Sequence, residues 1–192
     1  MKKITLIVAL AFLGFSNSNA QIQKGNVLVG GNFANINVGL DEPNILSIDV
    51  TPKAAWFIQN NVALGGYVNF GLEAAKHSTT TTSYGVGALG RYYTGSEAEL
   101  INHSRFFGEA TVGFGGVNAG DAGNTNGLNL SVGPGFAYFI TPNIGLELLL
   151  KYNGLVGFGS EPYQSNLNLS FGFQIYLPGR STAQKVEQDV KQ

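Results

Sequence analysis

The chain has 192 residues, 44% of them apolar and only 12% charged, with 27 glycines, eight tyrosines, thirteen phenylalanines and no cysteine. A charge fraction about half the roughly 25% of an average globular chain excludes a disordered chain and a basic nucleic-acid binder, and the lack of cysteine excludes a disulfide scaffold. Abundant glycine and aromatic residues with few charges point to β-structure facing something other than water.

Met1-Lys2-Lys3 is a short basic start, followed by an apolar run from Ile4 to Phe15 and by small residues at Ser18 and Ala20. This three-part layout predicts a signal peptide over residues 1–20 that is cleaved before Gln21. The apolar run is too short for the roughly 20 residues that a spanning helix needs. Without Lys2 and Lys3 the mature chain carries nine basic and twelve acidic side chains, too mild a balance to imply a charged partner.

Eight segments then alternate with period two. Weak alternation runs through Val27–Ile36. Ile48, Val50, Trp56 and Ile58 oppose Ser47, Asp49, Thr51 and Lys53, and Val62, Leu64, Val68, Phe70 and Leu72 oppose Ala63, Gly65, Tyr67 and Asn69. Tyr84–Thr94 and Phe106–Gly116 are weaker again. Leu128, Leu130, Val132, Pro134, Phe136, Tyr138 and Ile140 share one face, as do Ile144, Leu146, Leu148, Leu150 and Tyr152. The last segment, Leu167–Leu177, alternates without a break over eleven residues, the length of a tilted membrane strand rather than of an ordinary one. An even count of long alternating strands predicts an all-β fold, an eight-stranded antiparallel up-and-down transmembrane β-barrel over residues 21–177, with a short polar periplasmic tail over 178–192.

The connections support this layout. Gln59-Asn60-Asn61 and Thr141-Pro142-Asn143 read as tight turns, while Gly39–Asn44, Glu73–Thr82, Asn118–Thr125 and Val156–Gln164 read as longer polar loops on the opposite side. Gly95–Asn102 is a longer connection on the short-turn side. The stretch from Pro52 through Trp56-Phe57-Ile58 to Leu64 recurs from Pro134 through Tyr138-Phe139-Ile140 to Leu146, at a constant offset of 82 residues.

Charge decides which way the apolar face looks. The face opposite the apolar one carries Asp49, Lys53, Arg91, Glu109, Glu147 and Lys151, three acids and three bases. A soluble core would have to bury them, whereas a membrane barrel places them in its lumen, where balanced ion pairs fill a space that eight strands make just wide enough for side chains. Aromatic residues on the apolar face predict two girdles: Trp56, Tyr92, Phe106 and Tyr138 at the short-turn end, and Phe70, Tyr84, Phe114 and Tyr152 at the long-loop end. Tyr84 and Tyr92, like Phe106 and Phe114, lie eight residues apart, a rise of roughly 20 Å in a tilted strand, close to an apolar band of about 25 Å.

Pro52…Trp56-Phe57-Ile58…Asn61-Val62-Ala63-Leu64-Gly65, Arg91-Tyr92-Tyr93 and Gly133-Pro134-Gly135…Tyr138-Phe139 resemble the porin-like, small outer-membrane β-barrel family common in Bacteroidota, related in architecture to the OmpA transmembrane domain and to OmpX. Ser170-x-Gly172-x-x-Ile175-x-Leu177 is similar to the last-strand signal read by barrel-insertion machinery. The resemblance covers about residues 25–177. It implies an outer-membrane location in a Gram-negative envelope, outer-membrane lipid and lipopolysaccharide as surroundings, and a monomer. It carries no chemistry.

Two histidines and no cysteine exclude a Cys/His zinc site, and the glycine pairs at Gly113-x-Gly115 and Gly133-x-Gly135 lie inside strand patterns rather than in a nucleotide-binding turn. Some outer-membrane barrels are lipid A hydrolases with a His–Ser–acid set. Here His77-Ser78 falls in a Thr-rich loop, and His103-Ser104 in a turn before Glu109, so neither is placed at the membrane. The expectation is a non-enzymatic envelope protein with no cofactor, no metal and no nucleic-acid partner. Its role is structural or rests on loops that meet an extracellular ligand; a small or gated channel is the alternative.

Overall fold

The computed structural model describes residues 22–38, 45–75, 80–95, 103–118, 120, 124–158 and 164–179. The expected signal peptide, the Gly39–Asn44 loop, His77 and all of the tail beyond Gly179 lie outside the described residues. Eight strands follow one another: β1 (Val27–Val38), β2 (Ile45–Gln59), β3 (Val62–Ala75), β4 (Thr81–Tyr93), β5 (Ser104–Asn118), β6 (Asn124–Thr141), β7 (Ile144–Gly157) and β8 (Gln164–Leu177). Each pairs antiparallel with the next, and β8 pairs with β1. The fold is a closed, eight-stranded antiparallel membrane barrel.

The register fixes its shape. Paired residues lead from Leu177 through Val27, Trp56, Leu64, Gly90, Ala110, Val132 and Tyr152 to Leu167, ten residues from the start on the same strand. With eight strands, that stagger sets a tilt of about 40°. The alternation sorts by face: Leu64, Val132, Phe171 and their neighbours are exposed on the outside, while Lys53, Arg91, Glu109 and Glu147 are buried inside. The arrangement is the inverse of a soluble core.

The strands run further than the alternation indicates. Glu73 pairs with Thr81 and Leu72 with Thr82, so much of the expected Glu73–Thr82 loop is strand. Asn118 pairs with Asn124, and Leu155 with Gln164. At Thr81-Thr82 and Asn124-Thr125 both faces of the strand are polar, so alternation stops being a signal there while the hydrogen-bonded ladder continues. β-Branched Thr81 and Thr82 suit that ladder.

The repeated hairpins are equivalent in structure. Each carries an irregularity before its turn, between Phe57 and Gln59 and between Phe139 and Thr141. In each the pairing to the following strand is interrupted at a proline, Pro52 or Pro134, which lacks the N–H that a ladder needs. The turns close alike: Tyr93 N donates to Asn61 O and Tyr176 N to Asn143 O, both at 2.8 Å. Phe57 N donates to Asn26 O and Phe139 N to His103 O. The first and second four strands are thus related by an approximate half-turn about the barrel axis.

Candidate functional site

The lumen is the only place in the described residues where charged side chains converge, and it is built in two layers. Nearest the tight turns lies an aromatic layer. Phe57, Tyr93, Phe107, Phe139 and Tyr176 point inward from β2, β4, β5, β6 and β8 and are all buried. Their rings pack at 5.8 Å (Phe57–Tyr93), 5.4 Å (Tyr93–Phe107) and 5.1 Å (Phe139–Tyr176) between centroids. Glycine makes room for one of them: a Cβ on Gly135 would collide with the Phe107 ring across the β5–β6 pair. The Ile22–Asn26 segment folds across this end. Asn61 N donates to Ile22 O, Gly25 N to Phe57 O and Gly179 N to Asn26 Oδ1, and Ile22 is buried.

Above the rings sits an ionic layer. Lys53 Nζ donates to both oxygens of Glu109, at 3.0 and 2.9 Å. Arg91 donates to the same carboxylate through Nε (3.1 Å) and Nη2 (2.5 Å), and through Nη1 to Glu147 Oε1 (2.6 Å). The side chains of these four are no more than 1% exposed. Lys151 Nζ approaches Glu109 Oε1 at 3.5 Å and remains 15% exposed on the long-loop side. The layers are joined. Tyr176 Oη donates to Glu147 Oε1 (2.9 Å), Arg91 Nη1 donates to Tyr93 Oη (2.8 Å), and the two tyrosine hydroxyls meet at 2.9 Å. The Arg91 guanidinium also lies 4.1 Å from the centre of the Phe107 ring, within cation–π range.

Five of the six charges placed on the inner face therefore form one connected set. Asp49 does not share its ion pairs: it lies four residues further along β2, where Oδ1 accepts from Ser83 Oγ at 3.4 Å. Strand rise separates two such positions by about 13 Å, more than a Lys–Asp pair can bridge along one strand. On the long-loop side of the ionic layer the wall turns to small polar residues and glycine, with Thr111 and Ser131 hydroxyls at 2.5 Å and Asn69 Nδ2 donating to Thr51 Oγ1.

The eight aromatic residues assigned to girdles all point outward. Trp56, Tyr92 and Tyr138 are exposed near the tight turns, with Phe106 partly covered by Phe136. Phe70, Tyr84, Phe114 and Tyr152 are exposed toward the other end, where Phe70 pairs with Tyr84 across β3–β4. At the barrel's tilt the two rows lie roughly 19 Å apart along the axis. His103, exposed and with φ of 69°, stands in the β4–β5 turn, while Glu109 is held by Lys53 and Arg91.

No family model matches the sequence, and no curated protein does. Among solved structures, Neisserial surface protein A (NspA) aligns with a TM-score of 0.55 at 19% identity, covering 78% of this chain and 95% of that one. The N-terminal β-barrel domain of Pseudomonas aeruginosa OprF aligns with a TM-score of 0.52 at 14% identity, over 79% of this chain and 98% of that one. The outer membrane enzyme PagL aligns at a TM-score of 0.45 and 14% identity, over 78% of this chain and 98% of that one. This chain shares its fold with small membrane barrels. At these identities the likeness extends to fold alone.

Sequence reasoning missed the aromatic layer and the Ile22–Asn26 strap. A signal for the first was present: Tyr93 and Tyr176 occupy inner-face positions, two residues from Arg91 and Gln174. Nothing in Ile22–Asn26 distinguishes it from a linker.

Proposed function

We propose that this chain is a non-enzymatic protein of the outer membrane of a Gram-negative cell, exported by a cleaved signal peptide and inserted as a monomeric barrel. Its role is to hold the polar loops at the long-loop end, where they meet an extracellular ligand or support the envelope. The observation that carries the reading is the filled lumen. An ionic layer whose Lys53, Arg91, Glu109 and Glu147 side chains are no more than 1% exposed stands on a layer of five packed rings, so this part of the described interior supports the barrel's own wall. Rigid scaffolds place binding in the loops they hold. The outward apolar face between two aromatic rows suits outer-membrane lipid and lipopolysaccharide, and the β8 pattern at Ser170, Gly172, Ile175 and Leu177 suits barrel-insertion machinery.

The test has three parts. Sucrose-gradient fractionation and a heat-modifiable gel band should place the chain in the outer membrane; recovery as a soluble periplasmic protein refutes the reading. Planar-bilayer recording should show no large, stable conductance, and a reproducible nanosiemens pore would favour a channel instead. Replacing Lys76–Thr80 with a two-residue turn should abolish adhesion if the loop binds, and leave detergent resistance intact. Release of acyl chains from lipid A by the purified barrel would overturn the non-enzymatic assignment.

A further inference from the structure

The half-turn that relates the two halves of the barrel exposes a difference between opposite walls of the lumen. Tyr93 and Tyr176 are equivalent, each donating its amide to the turn before it, and two residues earlier stand Arg91 and Gln174. Asn26 and His103 are equivalent, each carbonyl receiving a phenylalanine amide, and six residues later stand Asn32 and Glu109. On the β4–β5 wall Arg91 and Glu109 are direct register partners that satisfy each other. On the β8–β1 wall the corresponding residues are two amides two residues out of register with each other, since Gln174 pairs with Gly30 and Asn32 with Gly172.

Those amides are buried, Gln174 at 0% and Asn32 at 4% exposure. Gln174 Nε2 donates to Gly31 O at 3.4 Å, but Gln174 Oε1, Asn32 Oδ1 and Asn32 Nδ2 have no hydrogen-bond partner in the described protein, and nor does Glu147 Oε2. The four atoms share one stretch of wall. Gly172 on β8 pairs with Asn32 on one side and with Glu147 on the other, and Gln174 follows two residues on, facing the same way. The Asn32 side chain leans across Gly172 toward β7, since a Cβ on that glycine would fall 2.5 Å from Asn32 Nδ2. Leaving such atoms buried and unpaired costs more than an ordinary hydrogen bond returns.

The donor count identifies what would satisfy them. The wall offers three acceptors and one donor. A cation would match the acceptors, but the neighbouring ionic layer already carries three bases against two acids. An anion would match only the single donor and would face Glu147. Two hydrogen-bonded waters present three free donors and three free acceptors, enough for all four atoms at no cost in charge.

We propose that the β7–β8–β1 wall of the lumen is a binding site for an ordered water pair that bridges Asn32, Gln174 and Glu147. The pair completes the ionic layer, giving Glu147 on its second oxygen what Arg91 and Tyr176 give on its first.

The test uses the full-length mature chain, labelled with 15N and refolded in detergent micelles. Water-to-protein NOE and ROE spectra should give cross-peaks of opposed sign, marking bound rather than exchanging water, at the Asn32 and Gln174 side-chain amides. Their absence in the folded wild type overturns the proposal, as does a shift of the Asn32 amide resonances that saturates with added sodium or chloride. The near-isosteric Asn32→Leu variant should lose the water cross-peak at Gln174 while keeping its heat-modifiable band; an unchanged cross-peak there also overturns it. If that variant does not fold, the wild-type spectra decide alone.

Discussion

Glu109→Gln should be among the most damaging isosteric changes in the molecule. The carboxylate receives four hydrogen bonds, two from Lys53 and two from Arg91, at 2.5 to 3.1 Å. Glutamine keeps the volume but removes the charge and turns an NH2 group toward two donors. Lys53, Arg91 and Lys151 would then face Glu147 alone. Removing one partner from a buried pair costs about 3–5 kcal/mol, because the other charge stays buried. Urea unfolding in lipid vesicles can be followed through Trp56, the only tryptophan and 57% exposed on the outer wall. With a slope of about 2 kcal/mol/M the midpoint should fall by roughly 2 M. Asp49→Asn, outside the connected set, should cost under about 1 kcal/mol, as for a partly exposed charge. Adding Lys53→Met to Glu109→Gln should cost less than the two single changes summed, since it removes a stranded cation. A Glu109→Gln unfolding free energy within about 1 kcal/mol of wild type, or a loss no greater than that of Asp49→Asn, would refute the view that the ionic layer holds the barrel together.

Three further outcomes follow from the geometry. Leu148→Arg, on the outer face between the aromatic rows, should cost about 2–4 kcal/mol in the same assay, against about 0–1 for Leu177→Arg at the end of β8; equal costs would argue against a lipid-facing wall. Gly135→Ala should cost about 1–3 kcal/mol by overpacking against the Phe107 ring, and Phe107→Leu in the same chain should recover part of it; no recovery would show that the ring is not what the glycine accommodates. Brominated lipids should quench Trp56 most when the bromines sit high on the acyl chain near the headgroups, and stronger quenching from mid-chain bromines would displace the lower aromatic row from the interface.

The strand count, and the phase of every strand but β1, were legible because one face meets lipid over the whole apolar band. Leu167–Leu177 places Leu, Phe and Ile on every second position with no exception, and the barrel exposes each of them. Strand ends were not legible. At Thr81-Thr82 and Asn124-Thr125 both faces are polar, and the ladder is set by the neighbouring strand rather than by side-chain pattern. The inner face was legible as a set of charges but not as a set of pairs. Arg91 and Glu109 meet because β4 and β5 register them directly, while Glu147 comes to Arg91 from β7, across the lumen. Alternation says which face a residue takes, and only closure says what it faces. The aromatic layer was hidden for a related reason: five rings drawn from five strands are isolated residues in the sequence and become one cluster only when the sheet closes.

Closure also bears on why the interior carries an ionic layer beside its aromatic one. A strand apolar on both faces would sit in a bilayer equally well in either phase, because a one-residue slip exchanges the faces. Arg91, Glu109, Lys53 and Glu147 remove that ambiguity. Slipping β4 by one residue would turn Arg91 outward and pull its guanidinium from both carboxylates, at about 2–4 kcal/mol for the lipid-facing cation alone, before any broken pair is counted. The buried pairs need contribute little net stability relative to an apolar filling to be useful. Their effect is on the alternatives, which they make worse, and each strand that carries one has a single phase in which its charge is matched.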